Sequence, residues 1–294
     1  MEGASVVKIK LIANPVAGGD ARKKIDRAVT WLQTAGVAVD LYLTEKRGDA
    51  MWAARAAKCA GYDRIIAAGG DGTLNEVING LAPSAIPLAF IPFGTTNVFA
   101  LEVGIPFAVE QACAVALRGQ PRPVCLGLAG DTRFLLMAGV GFDAEVVGGV
   151  SLPLKRRVGK LAYLVSSLKV LRCSVPVFIE IVDEQGRRYQ GTSAIIGNGR
   201  YYGGRFSITP DASLQDDTLD VCLFRRRGRI GFLFSMIKVA LGRSLAEREA
   251  WRFKGRKLTV TGAKAAVQLD GDYHGCLPQT FCAVFGELIL IYPE

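Results

Sequence analysis

The chain holds a single histidine, His274, and its seven cysteines (Cys59, Cys113, Cys125, Cys173, Cys222, Cys276 and Cys282) never fall in a Cys-x-x-Cys spacing. One histidine leaves almost nothing for a Ser-His-Asp triad or a histidine-rich metal site. An odd, scattered set of thiols argues against both a disulfide framework and a zinc site, so most read as small buried hydrophobes in a reducing cytosol. A long apolar run is also missing. The longest one near the C-terminus, 231–241, is too short for a bilayer span and contains Lys238. The first residues, Met1 to Ser5, show no basic stretch followed by an apolar one, so no signal peptide is expected. Internal repeats and low-complexity tracts are absent as well.

What is present is a chain of 294 residues, half of them hydrophobic, with a mean hydropathy of +0.26. A globular protein of this size usually splits into two domains. The net charge is +9, and its placement matters more than its total. Between Arg225 and Lys257 stand eleven basic residues against Glu247 and Glu249, an excess equal to that of the whole chain. Phe232, Leu233, Phe234, Met236, Ile237, Val239, Leu241, Trp251 and Phe253 are interleaved with them. Arginines flanking an aromatic and aliphatic face fit an interfacial helix on anionic lipid, worth about 1 kcal/mol per basic residue near the surface. A solvated basic face and a nucleic-acid patch compete with that reading. Lys155, Arg156, Arg157 and Lys160, beside apolar Val150, Leu152 and Leu154, form a second basic cluster that fits the same surface.

The first 125 residues alternate strand and helix patterns. Apolar strands are expected over 8–13, 37–43, 64–68 and 87–91, and helices over 21–35, 50–60 and 74–81. This alternation predicts an α/β, Rossmann-like three-layer domain with a mostly parallel sheet, whose ligand loops lie at the carboxyl ends of the strands. After about residue 122 short strands with turn signals dominate (133–139, 177–182, 189–197, 219–224, 257–261, 266–269 and 287–292), interrupted by a helix pattern over 159–171 and by the basic segment. An antiparallel β-sandwich is expected there. The domains are therefore drawn as 1–125 and 126–294, with the last strand free to return to the first domain.

Gly69-Gly70-Asp71-Gly72-Thr73 follows a buried strand and opens a helix. Such glycines let the backbone approach phosphate, with amides and the helix N-terminus favouring negative charge. Thr73 stands where a helix cap is wanted. No Gly-Lys-Ser/Thr follows, so the loop is neither a P-loop nor a dinucleotide fingerprint. Asp71 inside a phosphate loop suggests a bridging Mg²⁺. Asn14-Pro15 with Gly18-Gly19, then Thr44, then Pro92-Phe93-Gly94-Thr95-Thr96-Asn97 end three other strands of the same sheet. Each alone is an ordinary turn. Together they set glycines, hydroxyls and amides on one rim, which calls for a phosphate ligand.

These motifs continue through Leu74-Asn75-Glu76-Val77 and Val98-Phe99-Ala100. Then come Gly139-Val140-Gly141-Phe142-Asp143, Gly197-Asn198-Gly199 with Gly203-Gly204, and Leu269-Asp270-Gly271-Asp272. In that order and spacing the chain resembles the diacylglycerol kinase and related lipid kinase family over nearly its whole length. The resemblance implies an ATP-dependent kinase of a membrane lipid, most simply diacylglycerol or a similar glycerolipid, with its active site in a cleft between the two domains. It implies ATP contacts at Asn14, Thr44, Gly69, Gly70, Asp71, Gly72, Thr73, Asn75, Glu76, Gly94, Thr95 and Asn97. It also implies a structural Mg²⁺ held by Asp217 and the carbonyls of Leu214 and Leu219, although Thr218 replaces the glycine usual after that ligand. The family's Asp-Gly-Glu reads Asp270-Gly271-Asp272 here, which retains a carboxylate one methylene shorter. Asp272 is the favoured proton acceptor, with Asp270 near metal and phosphates; a plain Asp-Gly hairpin is the competing reading. His274 lines the lipid entrance or is an incidental exposed side chain. Sphingoid-base or phosphatidylglycerol kinases, a soluble NAD-type kinase and a non-catalytic lipid-binding protein are the alternatives. A cytoplasmic protein peripherally bound at the inner membrane face through 225–257, without nucleic acid and with a homodimer left open, completes the expectation.

Overall fold

The protein is described from a computed structural model over residues 6–142, 144–145, 177–225, 231, 234–235, 237–238, 243 and 245–294. The expected helix over 159–171 and the Lys155–Lys160 cluster lie outside the described residues, as do Asp143, Arg226, Arg227 and Arg229 of the quoted motifs. Two compact units divide the chain: residues 1–124 with 285–294, and residues 125–284.

In the first unit, strands β1 (Lys8–Ala13), β2 (Ala38–Leu43), β3 (Arg64–Gly69) and β4 (Leu88–Pro92) form a parallel sheet in the order β2-β1-β3-β4. The end of β18 (Gln279–Tyr292) joins it in parallel, with Leu290 opposite Leu88. Strand β4 is buried along its whole length, and β3 everywhere but Arg64. Burial on both faces is why the strands read as continuous apolar runs. Helices α1 (Ala21–Thr34), α2 (Asp49–Ala57) and α3 (Asp71–Leu81) each bury one stripe: Ile25, Ala28 and Leu32; Ala50, Ala53, Ala54 and Ala57; Leu74, Val77, Ile78 and Leu81. The alanines of α2 permit an unusually close helix contact, since a Cβ on Gly80 of α3 would stand 2.1 Å from the Met51 carbonyl oxygen. Two further helices, α4 (Val98–Val103) and α5 (Val109–Arg118), complete the unit.

The chain enters the second unit within β5 (Gln120–Ala129) and leaves it within β18. There β18, β15 (Lys257–Gly262), β8 (Ile179–Asp183) and β9 (Arg188–Gly191) pair antiparallel in that order, with β5 and β6 (Thr132–Phe134) attached. A second antiparallel sheet runs β14 (Ala250–Gly255), β13 (Leu219–Phe224), β10 (Ser193–Gly197), β7 (Met137–Val140), β16 (Ala266–Leu269), β17 (Asp272–Cys276). A short hairpin, β11 (Tyr201–Tyr202) with β12 (Phe206–Ser207), stands apart. Phe134, Val140, Ile181, Ile196, Val221, Val260, Val267 and Phe281 fill one core drawn from both sheets. The fold is the expected one: a parallel α/β domain followed by an antiparallel β-sandwich.

Among the corners at which the chain switches sheets are 135–136, between β6 and β7; Thr192, between β9 and β10; and Arg256, between β14 and β15. The last corner corrects the reading of 225–257 as one amphipathic helix. Residues 250–255 are a strand paired with β13, so Trp251 and Phe253 alternate with Arg252 and Lys254 at period two. The aromatics pack within the sandwich: Phe253 stacks on Tyr189 of β9, in the other sheet, with centroids 3.8 Å apart, and the Arg225 guanidinium lies 4.2 Å from the Trp251 ring.

Candidate active site

In the first unit β1 lies between β2 and β3, so the chain leaves β1 to one side and returns on the other. That is the topological switch point at which an open parallel sheet leaves a crevice beyond its strand ends. The loops after β1, β3 and β4 meet there. Asn14 Nδ2 donates to Thr73 Oγ1 at 3.3 Å, and Asn14 Oδ1 accepts the Val16 N–H at 3.0 Å. Gly18 adopts φ +83°, and a Cβ on it would lie 2.5 Å from the Phe93 carbonyl oxygen. The Gly69 carbonyl accepts from the amides of Phe93 at 2.7 Å and Gly94 at 3.0 Å. A Cβ on Gly94 would stand 2.6 Å from Gly70 Cα. Glycine at 94 is therefore what allows the two loops to touch.

Gly70 is the N-cap of α3, and no side chain caps that helix. The first amides of α3 carry the positive end of the helix dipole without an internal acceptor. Thr73, expected at the cap, is buried in the first turn instead, beneath Gly69. Asp71 accepts from the amides of Val98 at 3.0 Å and Phe99 at 3.2 Å, so its carboxylate caps α4 and ties the 94–97 loop to the glycine loop. That is a structural reason for an acid in this loop. Asn97, in a left-handed conformation with φ 48°, is 1% exposed and donates from Nδ2 to the Gly94 carbonyl at 2.7 Å, while its Oδ1 has no partner. Thr44 is buried at the end of β2, and its N–H donates to Ala13 at 2.9 Å. Glu76 Oε2 receives the Ala50 N–H at 3.3 Å, Asn75 Oδ1 receives Asn79 Nδ2 at 2.7 Å, and Thr95 is exposed. Asn14, Gly69, Gly70, Asp71, Thr73, Gly94 and Asn97 are thus one connected cluster.

In the second unit the Asp-Gly-Asp turn joins β16 to β17. Its first acid is fully engaged: Asp270 accepts the amides of Leu135 at 2.6 Å and of Leu136 and Met137 at 2.9 Å each. Its own N–H donates to the Met137 carbonyl at 2.9 Å. The neighbouring amides of Asn198 and Gly199 both donate to the Leu136 carbonyl at 2.8 Å, and Asn198 Nδ2 reaches the Leu135 carbonyl at 2.7 Å. Asp270 and Asn198 therefore clamp one sheet-switching corner from two sides. Gln268, 1% exposed, accepts the Gly271 N–H at 2.6 Å, and Asp270 and Gly271 take φ 48° and 86°. Asp272 follows this fastened turn and is partly exposed. His274 is half-buried, and burial pushes its imidazole below the usual value against the opposing effect of the Ala129 backbone. The roles of Gln268, Asn198 and the 135–137 corner are not visible from residue spacing; only the Gly-Asn-Gly and Asp-Gly motifs hint at them.

The expected structural Mg²⁺ site can be tested against its donors. Magnesium demands about six oxygens in near-octahedral order. Asp217 is instead ion-paired with Arg256, and the Leu214 carbonyl accepts the Cys125 N–H at 2.8 Å. Leu219 opens β13 opposite Gly255. Lys254 Nζ stands 2.9 Å from Asp216 and 3.3 Å from Asp220. The donors present do not fit the ion.

Comparison with known proteins bears on the whole chain. The model of the diacylglycerol kinase catalytic domain matches residues 8–129, and that of the YegS C-terminal NAD kinase beta sandwich-like domain matches residues 137–292. A diacylglycerol kinase of Bacillus subtilis is 31% identical over 98% of this chain and 97% of its own length. A Pseudomonas putida protein named "Probable lipid kinase YegS-like" is 40% identical over 67% of each. The crystal structure of a diacylglycerol kinase from Bacillus anthracis superposes with a TM-score of 0.79 at 27% identity, covering 99% of both chains.

Proposed function

This chain belongs to the diacylglycerol kinase family and is a lipid kinase, and on that premise we propose that it transfers the γ-phosphoryl group of ATP to a primary hydroxyl of a glycerolipid, diacylglycerol first among the candidates. The observation that carries the proposal is the contact of the 70 and 94 loops over the uncapped start of α3. Backbone amides at a helix N-terminus, approached without side chains, are a general solution for polyphosphate. In this reading Asn14, Gly70, Gly72, Thr73, Gly94 and Thr95 surround the phosphates, and Thr44, Asn75 and Glu76 border the nucleotide. Asp71 acts by holding the two loops together. Mg²⁺ arrives with ATP and neutralises phosphate charge.

Asp272 accepts the hydroxyl proton in this proposal. Asp270 is a poor second choice, because a carboxylate already accepting three amides has little capacity left for a proton. Phosphoryl transfer asks mainly for positioning and charge stabilisation, with a carboxylate taking the proton as the oxygen attacks in line. The excess of basic residues in the sequence over 225–257, with Arg225 on Trp251 among the described ones, supports contact with anionic lipid, where the enzyme would meet its acceptor. No helix among the described residues is long and apolar enough to cross a membrane.

The test is a lipid panel. Purified protein with Mg-ATP and mixed micelles of diacylglycerol, phosphatidylglycerol or sphingosine should yield a product heavier by one phosphate, most rapidly from diacylglycerol. Preference for another lipid would move the acceptor assignment. Absence of product with every acceptor would overturn the proposal.

A further inference from the structure

The corner after β12 carries four acids in ten residues: Asp211, Asp216, Asp217 and Asp220. In a cytosol rich in divalent cations such a group is an open invitation to a metal, unless something else neutralises it. Here the neighbouring strand supplies that charge. Lys254 near the end of β14 and Arg256 just after it are two residues apart, and β13 and β14 are in register with Asp220 opposite Lys254. Lys254 Nζ binds Asp216 at 2.9 Å, Asp220 at 3.3 Å and the Asp211 carbonyl at 2.9 Å, while Arg256 binds Asp217.

We infer that Lys254 and Arg256 take the place of the structural cation at this corner, so that the second unit folds and holds its shape without a divalent metal. The physical reason is charge repulsion as much as occupancy. A fixed unit charge about 5 Å from a divalent ion weakens its binding about tenfold even at the dielectric of water, and two such charges act here. The carbonyl of Leu214 is already bonded to the Cys125 amide, and Thr218 follows Asp217 without a glycine's freedom. Of the two cations Arg256 is the decisive one, because among the described residues it is the ion-pair partner of Asp217; Lys254 is shared among three oxygens of its own. The inference concerns only the architecture of this corner. It is independent of any Mg²⁺ that accompanies ATP, and independent of which lipid is phosphorylated.

The experiment uses the full chain without nucleotide or lipid. Thermal unfolding is followed in EDTA and across a Mg²⁺ series, and direct binding is measured with Mn²⁺ as the probe. Wild-type protein should melt at the same temperature throughout and show no saturable Mn²⁺ site in the micromolar range. Arg256→Gln should gain such a site, tighter by about tenfold or more, with a melting temperature that rises with Mg²⁺. Arg256→Gln combined with Asp217→Asn should lose it again. A wild-type melting temperature that falls in EDTA and is restored by Mg²⁺, with the effect abolished by Asp217→Asn, would overturn the inference. So would an Arg256→Gln protein that binds Mn²⁺ no better than the wild type. Melting in EDTA requires no catalysis, so failure here and failure of the kinase reading are separate results.

Discussion

Replacing Gly94 with alanine tests the phosphate-loop reading at its tightest point. The added methyl would sit 2.6 Å from Gly70 Cα and 2.7 Å from Asn97 Oδ1, against the 3.4 Å at which ordinary carbon contacts begin. To accept it, the 70 and 94 loops have to part by about 0.8 Å, because one of the two obstacles is backbone. A displacement of that order between positioning groups can lower a rate about 100-fold. The overpacking itself costs about 1–3 kcal/mol of stability. Gly72→Ala is the matched control for the backbone: nothing lies within 4 Å of its Cβ, so the apo protein should tolerate it without loss of stability. The assay is steady-state kinase activity with ATP varied at saturating lipid, together with denaturant unfolding of both variants. Gly94→Ala should raise KM for ATP and lower kcat/KM by one to two orders of magnitude, well beyond its stability loss. An ATP KM and kcat equal to the wild type in a folded Gly94→Ala protein would refute the reasoning, since the loop contact would then have no part in nucleotide binding.

Three further outcomes follow from the second unit. Asp272→Asn should lower kcat by about 10²- to 10⁴-fold with ATP binding unchanged, and Asp272→Glu, which keeps a carboxylate, should lose far less; equal loss of both kcat and ATP affinity in the asparagine variant would argue against a proton-accepting role. Asp270→Asn keeps a side chain tolerant of φ 48° but gives up charge-assisted bonds to three amides, so urea unfolding should show a loss of about 2 kcal/mol. His274 has a folded-state value lowered from about 6.5 because burial disfavours the imidazolium. Its contribution is therefore fully present above about pH 6.5 and is lost as pH falls through the lower folded value. Replacing it with glutamine should flatten the acid side of the stability–pH curve, and an unchanged curve would contradict the assignment.

The α/β half was legible because its central strands, β3 and β4, are buried on both faces. Runs such as Ile65–Ala68 and Leu88–Ile91 have no polar residue to break the pattern, and the glycine motifs mark their ends. Helices α4 and α5 carry weak local start signals: Ala108 precedes α5 without a capping side chain, and the six-residue α4 takes its cap from Asp71, a residue far off in sequence, and not from Asn97 before it. In the sandwich, sheet-switching corners defeat period counting. The run 189–197 reads as one strand but is β9 and β10, turned at Gly191 and Thr192, where a Cβ on Gly191 would stand 2.5 Å from the Phe224 carbonyl oxygen. The same limit misled the reading of 225–257. Basic and aromatic residues with no clear period fit a helix face by composition, and only pairing with β13 makes residues 250–255 a strand.

Residue type, likewise, announces that chemistry is present without saying which acid performs it. Asp71, Asp217, Asp270 and Asp272 all stand in motif positions, yet the first caps a helix, the second meets Arg256, and the third closes a corner. Each of these engagements gives its carboxylate a structural task, with lone pairs committed to amide or guanidinium donors. The same engagements locate Asp272 by fixing the turn before it: Gln268, Asp270 and Gly271 leave the backbone little freedom at the point where β17 begins. A shorter acid than the family's glutamate needs such a turn, since the reach lost with one methylene has to come from where the backbone is held. If the turn is already placed for the shorter arm, the longer one should cost several-fold in kcat rather than restore it, and a faster glutamate variant would mean that the turn yields.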